Sequence, residues 1–298
     1  MRITNADKVL YPETGTTKGE VVDYYRRIAP VLLPHLRGRA LTLRRYPDGV
    51  EGESFFEKRC PGHRPEWVRT VPVARSSGDP YEACEVHDED TLVWLANLAA
   101  LELHPSLAVA DDPERPTVLV FDLDPGAPAG IGHCAEVACA LRGLLAQLGL
   151  TCTAKTSGSK GMQVYVPLNS PIDFDTTKLL AHSIALVLAR QRTNLVVTTM
   201  AKEVRRGRVL IDWSQNDRAK TTVSVYSLRA RPVPGVSTPL EWSEVEDTVG
   251  ATGPALVFGP SEVLDRVEER GDLFAPVLEQ SQSLPPEVVQ LLAEGAAP

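Results

Sequence analysis

The stretch Thr117-Val118-Leu119-Val120-Phe121-Asp122-Leu123-Asp124-Pro125-Gly126 decides how the rest of the chain is read. Val118–Phe121 is an apolar, β-branched run with the signature of a buried strand. Side chains alternate along a strand, so Asp122 and Asp124 share one face. Two neighbouring carboxylates repel each other and lose hydration. A divalent cation held by their oxygens offsets both costs. Pro125-Gly126 then stops the strand and turns the chain. The plainer alternative is a pair of solvated aspartates at a strand end.

The downstream pattern builds on this strand. Cys134–Leu148 has amphipathic helical spacing and Gly149 stands at its C′ position. Thr151–Lys155 reads as a second strand, followed by the turn Thr156-Ser157-Gly158-Ser159-Lys160-Gly161 and a third strand, Met162–Leu168. The turn offers backbone N–H groups, hydroxyls and one cation, the parts of a phosphate cradle, although its spacing is not that of a Walker loop. Asp175–Arg192 is a further helix. Val209-Leu210-Ile211-Asp212-Trp213 is a strand that again delivers an aspartate. The polar turn Ser214–Asp217, Lys220 and an expected strand Val223–Tyr226 follow. From 118 to 213 the order is β-α-β-β-α-β, the ferredoxin-like or RNA-recognition-like arrangement. Its first and last strands lie close together, so Asp212 can join Asp122 and Asp124. Three carboxylates on one sheet face can hold two metal ions.

Upstream, Thr17 and Glu20 have capping-box spacing, and a helix is expected over about Lys18–Leu33, ended or kinked by Pro34. Lys8 and Lys18 flank its entrance, where backbone N–H groups already favour an anion. Leu36–Tyr46 reads as a strand carrying four arginines, Arg37, Arg39, Arg44 and Arg45, whose planar forks suit phosphates. Phe55 and Phe56 point to opposite faces of a strand, so at most one is easily buried, and an exposed ring among basic residues can stack on a base. Asp90–Leu103 reads as a buried helix broken by Pro105, with His104 at the break. Cys60/His63 and Cys84/His87 are two Cys-x-x-His pairs; four such ligands could close a zinc site, but scattered Cys and His form such pairs by chance, and zinc is not expected.

The chain has 298 residues, a net charge of −8, a hydrophobic fraction of 43% and no long apolar run. These values exclude a membrane-spanning helix and fit a globular protein of the cytoplasm, where a nucleic-acid enzyme would associate with the nucleoid. The amino-terminal residues lack the apolar core of a signal peptide. Five cysteines, at 60, 84, 134, 139 and 152, form an odd set that suits free thiols in a reducing compartment. The charge is uneven: residues 1–75 hold 14 Lys and Arg against 9 Asp and Glu, whereas 233–298 hold 2 against 12. A basic first third allows a local phosphate-binding face despite the overall acidity.

Four motifs, Val120–Gly126, Thr156–Gly161, Val209–Asn216 and Tyr226-Ser227-Leu228-Arg229, resemble the polymerase domain of bacterial ATP-dependent DNA ligase D, a member of the archaeo-eukaryotic primase superfamily. The resemblance starts at Asn5–Pro12 and runs to about residue 275. It implies an α+β primase-polymerase fold in a single domain, with an N-terminal α/β module (1–115) that binds DNA and its 5′-phosphate, an RRM-like catalytic core (116–230) and an acidic packing segment (231–298). It implies a template-dependent nucleotidyltransferase that fills short gaps or ends in repair and end joining, often with ribonucleotides, and uses Mn²⁺ or Mg²⁺ as two ions. Asp122, Asp124 and Asp212 match the family's catalytic, metal-binding carboxylates. Ser157, Ser159 and Lys160 match its nucleotide-phosphate turn. Arg44, His104, Arg205 and Lys220 fall at nucleotide or active-site positions, Phe55 and Phe56 at its base-stacking pair, and Lys8 and Lys18 at its 5′-phosphate lysines. Implied partners are gapped or broken DNA with a 5′-phosphate, NTPs or dNTPs, Ku and a separate ATP-dependent DNA ligase.

One departure stands out. Gln163 occupies the place of a usual histidine; an amide can bond a phosphate but cannot carry charge, so weaker triphosphate binding is expected. No ligase or nuclease domain fits in this length, so a stand-alone enzyme or an excised domain is expected, and Met1 with its short lead-in favours the stand-alone form. Two rivals remain. A haloacid-dehalogenase-like phosphatase shares the strand-end Asp-x-Asp, with its first Asp as nucleophile, but opens on that motif and continues as a doubly wound sheet. A non-catalytic protein binding 5′-phosphorylated ends is the other, disfavoured because three clustered negative charges do not help to bind DNA.

Overall fold

The computed structural model describes residues 1–75 and 77–295. The chain forms two compact units and passes between them repeatedly. One comprises Met1–Asp112, Thr221–Thr238 and Phe258–Asp272; the other comprises Pro113–Lys220, Pro239–Val257 and Leu273–Pro298. The residues after 231 therefore divide between the units instead of forming one packing segment.

In the first unit the capping box at Thr17 and Glu20 starts a helix over Lys18–Leu36. Val21, Tyr24, Tyr25, Ile28, Leu32, Leu33 and Leu36 form its buried stripe. The helix passes through Pro30 and Pro34, because the apolar stripe continues to Leu36 and packing there outweighs the lost backbone bonds. A five-stranded sheet lies beside it. Leu41–Arg45 pairs with Phe55–Glu57 and with Ala100–Pro105, and touches Tyr81–Cys84, which pairs in turn with Thr70–Val73.

Four expectations are corrected in this unit. The strand is shorter than 36–46, and two of its four arginines are spent on structure. Arg39 is 8% exposed and donates to the Ser106 and Leu107 carbonyls, while Arg37 donates to the His87 carbonyl. The helix expected over 90–103 ends at Asn97, and residues 100–105 form a strand. Ala99 adopts φ 56°, and this left-handed residue reverses the chain. Cys60 and Cys84 are joined in a disulfide, which takes them out of both the free-thiol and the zinc readings; Cys134, Cys139 and Cys152 are free. Val223–Tyr226 is no strand: only Thr221 makes an isolated bridge, to Ser106.

The second unit holds a six-stranded sheet in the order Val196–Val197, Val209–Asp212, Val118–Pro125, Met162–Pro167, Thr153–Thr156, Pro239–Leu240. Helices Ile131–Gln147 and Phe174–Gln191 complete the β-α-β-β-α-β unit. Its four principal strands run last, first, third, second, the ferredoxin-like order, so the strand bearing Asp212 is hydrogen-bonded directly to the strand bearing Asp122 and Asp124. Phe121, Leu123, Val164, Val166, Leu141 and Leu145 are fully buried and tie the sheet to its helices. No helix among the described residues is long and apolar enough to cross a membrane.

Candidate active site

The strand register assembles the centre of the second unit. Asp212 lies opposite Asp122, Asp122 opposite Gln163, and Gln163 opposite Lys155. Directly opposed residues share a face, so four polar side chains cross four strands in one row. Asp124 stands two residues along on the same face.

Each member of the row is held by specific bonds. Asp212 is 7% exposed; its carboxylate accepts from the Ser214 hydroxyl at 2.6 Å, the Ser214 N–H at 3.0 Å and the Gln215 amide at 2.8 Å. Lys220 reaches the same Ser214 hydroxyl. Asn216, which the sequence reading did not single out, acts as a piece of strand: its amide accepts from Val120 N–H at 2.8 Å and donates to the Val120 carbonyl at 2.7 Å. That double bond fixes the turn carrying Ser214 and Gln215 against the carboxylate strand. Lys155 is fully buried and donates to Gln163 Oε1 at 2.6 Å, and the Tyr165 hydroxyl donates to the same oxygen at 3.4 Å. Gln163 in turn hydrogen-bonds Asp122.

The electrostatics follow. Burial pushes the Asp122 carboxyl up to about 6; the Gln163 hydrogen bond and Lys155 pull it down, while Asp212 and Asp124 add repulsion. Asp124 is engaged by Arg205, on the short helix Lys202–Arg205, and by Lys160 at 3.4 Å. Gly126 explains the first contact: a Cβ there would strike the Arg205 carbonyl. Gly161 explains the second: a Cβ there would strike the Leu123 carbonyl, so only glycine lets the Ser157–Gly161 turn fold down between the two aspartates. Within the turn Ser157 N–H donates to the Gly161 carbonyl at 2.9 Å, and Gly161 N–H donates back to the Ser157 hydroxyl at 3.2 Å. Ser159 is half-buried and Lys160 exposed. Among the described residues no three His, Cys, Asp or Glu side chains converge as a ready-made metal cage; the donors present are hard carboxylate oxygens, the type that Mg²⁺ and Mn²⁺ take.

The first unit carries the remaining candidates. Phe56 lies opposite Arg44, and Arg44 opposite Glu102. Both phenylalanines are exposed, Phe55 by 45% and Phe56 by 59%, so neither ring is core. Each has a guanidinium over it: Arg45 over Phe55 at 5.3 Å and Arg44 over Phe56 at 5.2 Å. His104 meets Phe56 edge-on at 5.8 Å. Burial depresses the His104 imidazole, with Glu102 opposing. Lys18 is 5% exposed and donates to Thr4 Oγ1 at 3.1 Å and the Asn97 carbonyl at 3.3 Å. Burial and the nearby charge of Lys8 lower its ammonium. Lys8 itself pairs with exposed Asp48 at 2.7 Å. Glu102 and Arg229 were missed as site residues; a glutamate between alternating leucines in 101–103 was the available signal.

A carboxylate row with a lysine- and hydroxyl-bearing turn folded back on it, on a sheet of ferredoxin-like order, is the arrangement of the primase-polymerase class of proteins. Residues 17–274 match the family described as LigD, primase-polymerase domain. The chain belongs to that family. It is 43% identical over 280 residues to the multifunctional non-homologous end joining protein LigD of Mycolicibacterium smegmatis, covering 93% of this chain and 36% of the relative. It is 31% identical over 286 residues to the bifunctional LigD of Bacillus subtilis, covering 96% of this chain and 45% of the relative. The chain thus spans less than half the length of these relatives. The polymerase domain of Mycobacterium tuberculosis ligase D, solved in complex with DNA, superposes with a TM-score of 0.87 at 39% identity, over 95% of this chain and 99% of that one.

Proposed function

We propose that this chain extends a DNA primer across short gaps or at broken ends bearing a 5′-phosphate, taking NTPs in preference to dNTPs. The opposition of Asp212 and Asp122 across neighbouring strands, with Asp124 beside them, carries the reading. Their oxygens suit two Mn²⁺ or Mg²⁺ ions, and burial together with mutual repulsion has already raised Asp122, a cost a bound cation would relieve. When bound, such ions would activate the primer hydroxyl and neutralise charge building on the triphosphate.

The chain's own residues do the rest. Ser157, Ser159 and Lys160 present donors to the nucleotide phosphates. Arg205 and Lys160 keep Asp124 in place until a cation competes for it. Ser214 and Gln215 orient Asp212, and Lys220 holds Ser214. Gln163 enters as the partner of Asp122, its amide already engaged, more than as a phosphate ligand. Arg44, His104, Phe55 and Phe56 serve the nucleotide and template base. Lys8 and Lys18 receive the 5′-phosphate, a role supported by two ammonium groups close enough to repel. Ku and an ATP-dependent DNA ligase activity are the partners that suit this role in end joining. The deciding test is extension across a gapped duplex with Mn²⁺ and either NTPs or dNTPs, with Asp124→Ala as control. Extension by the native chain that the variant loses is the expected result. Binding that depends on the 5′-phosphate, with no extension by either, would make the chain an end-binding protein instead.

A further inference from the structure

Glu102 is a carboxylate 1% exposed, in the strand Ala100–Pro105. A buried charge of this kind survives only with close partners. Here they are gathered round both oxygens. The His104 imidazole donates to Oε2 at 3.0 Å. Oε1 accepts from the Ala230 N–H at 3.1 Å and the Tyr46 hydroxyl at 3.5 Å, and stands within ion-pair distance of Arg229 Nε at 3.4 Å and Arg44 Nη1 at 3.9 Å. Burial alone would raise this carboxyl; His104, Arg229 and the Ala230 N–H hold it down to about 2. Exposure is graded outward from this anchor, the side chains of His104, Arg229 and Arg44 being 12%, 19% and 35% exposed. Beyond Arg44 lies the exposed Phe56 ring, which Arg44 and His104 both contact. Two guanidiniums against one carboxylate leave a surplus of positive charge even with His104 neutral. Strand register fixes the line Phe56, Arg44, Glu102, and chain segments far apart in sequence meet at its inner end.

We propose that Glu102 is a positioning residue: it holds Arg44, His104 and Arg229 as one rigid cationic platform beside Phe56, set to receive the phosphates of an incoming nucleotide. The carboxylate touches no ligand itself. It suppresses the mutual repulsion of its cations and fixes their directions, so that no side-chain ordering remains to be done when a polyanion arrives. The assignment of the ligand rests on the polymerase reading above; the anchoring does not.

The test compares Glu102→Gln and Glu102→Asp with the native chain in two assays. Calorimetric titration with inorganic tripolyphosphate reads phosphate binding apart from base stacking and chemistry, and the change on substituting Glu102 reads the platform's share of it. Primer extension reads KM for the nucleotide separately from kcat. In Glu102→Gln, tripolyphosphate affinity should fall and nucleotide KM rise by about tenfold, with kcat changed less than about threefold, the effect of a lost charge-assisted contact. Glu102→Asp should recover part of the loss. In the Arg44→Gln background, Glu102→Gln should cost clearly less than in the native chain, because part of its effect runs through Arg44. Unchanged affinity and KM in Glu102→Gln, or effects that multiply in the double variant, would overturn the proposal. So would loss of folding, by circular dichroism, in both substitutions, which would make Glu102 a folding residue only. A native chain that binds tripolyphosphate but extends no primer strikes the polymerase reading and leaves the anchoring result standing.

Discussion

In the six-stranded sheet Asp212, Asp122, Gln163 and Lys155 stand in one row across four strands; in the five-stranded sheet Phe56, Arg44 and Glu102 stand in one row across three. Each row buries a carboxylate away from water. Asp122 is pushed up to about 6, whereas Glu102 is held down to about 2. Burial acts in the same direction on both, so the neighbours decide. Asp122 faces two other carboxylates, with only an amide between it and the nearest buried ammonium. Glu102 is ringed by donors and cations. The first row is held in tension and gains from a cation; the second is already satisfied and has positive charge to spare. On the proposed reading, the same carboxylate group prepares one sheet for metal and the other for phosphate.

Four experiments would break or sharpen this contrast. The largest effect is expected from Asp212→Asn, which should lower primer extension by about a thousandfold or more, several kcal/mol of transition-state stabilisation; an effect no larger than that of Glu102→Gln would erase the distinction between the rows. Next, Gly161→Ala should cost about 1–3 kcal/mol in urea unfolding, because its methyl group meets the Leu123 backbone and must push the turn away from the aspartates. A fully stable variant would mean that the turn does not need this close approach.

The third experiment is the pH dependence of stability without added metal. The folded Glu102 carboxyl lies below its ordinary value of 4.5, so its contribution is complete above about pH 4.5 and is lost as pH falls towards 2. The folded Asp122 carboxyl lies above its ordinary value of 3.8, so the folded state prefers the proton and stability is lost as pH rises from about 3.8 through 6. Thermal melts should therefore show Asp122→Asn gaining stability relative to the native chain above pH 6, while Glu102→Gln loses it above pH 4.5. Parallel curves for the two variants would contradict the contrast. The smallest effect is expected from Gln163→His. Because the Gln163 amide is engaged by Lys155 and Asp122, nucleotide affinity should change by less than about threefold; a tenfold tightening would show that the residue at this position contacts phosphate.

Much of the second unit was legible in the sequence. The apolar runs ending in Asp122 and Asp212 and the spacing of the helices between them are local signals that tertiary packing did not override. Lys155 was legible too, though unread: a five-residue turn between Thr156 and Met162 places Lys155 opposite Gln163, and so in line with Asp122. The first unit was less transparent. The apolar run over 92–103 fits a buried helix and a buried strand equally well, and a left-handed Ala99, which no propensity favours, divides them. Helical spacing hid the alternation that marks Glu102 as a strand residue. The disulfide was invisible because Cys60 and Cys84 meet only through the pairing of Tyr81–Cys84 with its neighbours.

The two-residue strand Pro239–Leu240 looks minor, yet it covers the outer side of Thr153–Thr156. It arrives from a part of the chain that first leaves this unit at Lys220 and returns at Pro239. A fragment cut after Lys220 would keep the aspartates and the phosphate turn but would expose an uncapped row of backbone N–H and C=O groups along Thr153–Thr156. Such an edge is a template for a second copy, and Pro239, which has no N–H to offer outward, is a residue suited to blunt it. A chain shortened to end at Lys220 would therefore trade a covered sheet edge for one that invites self-association.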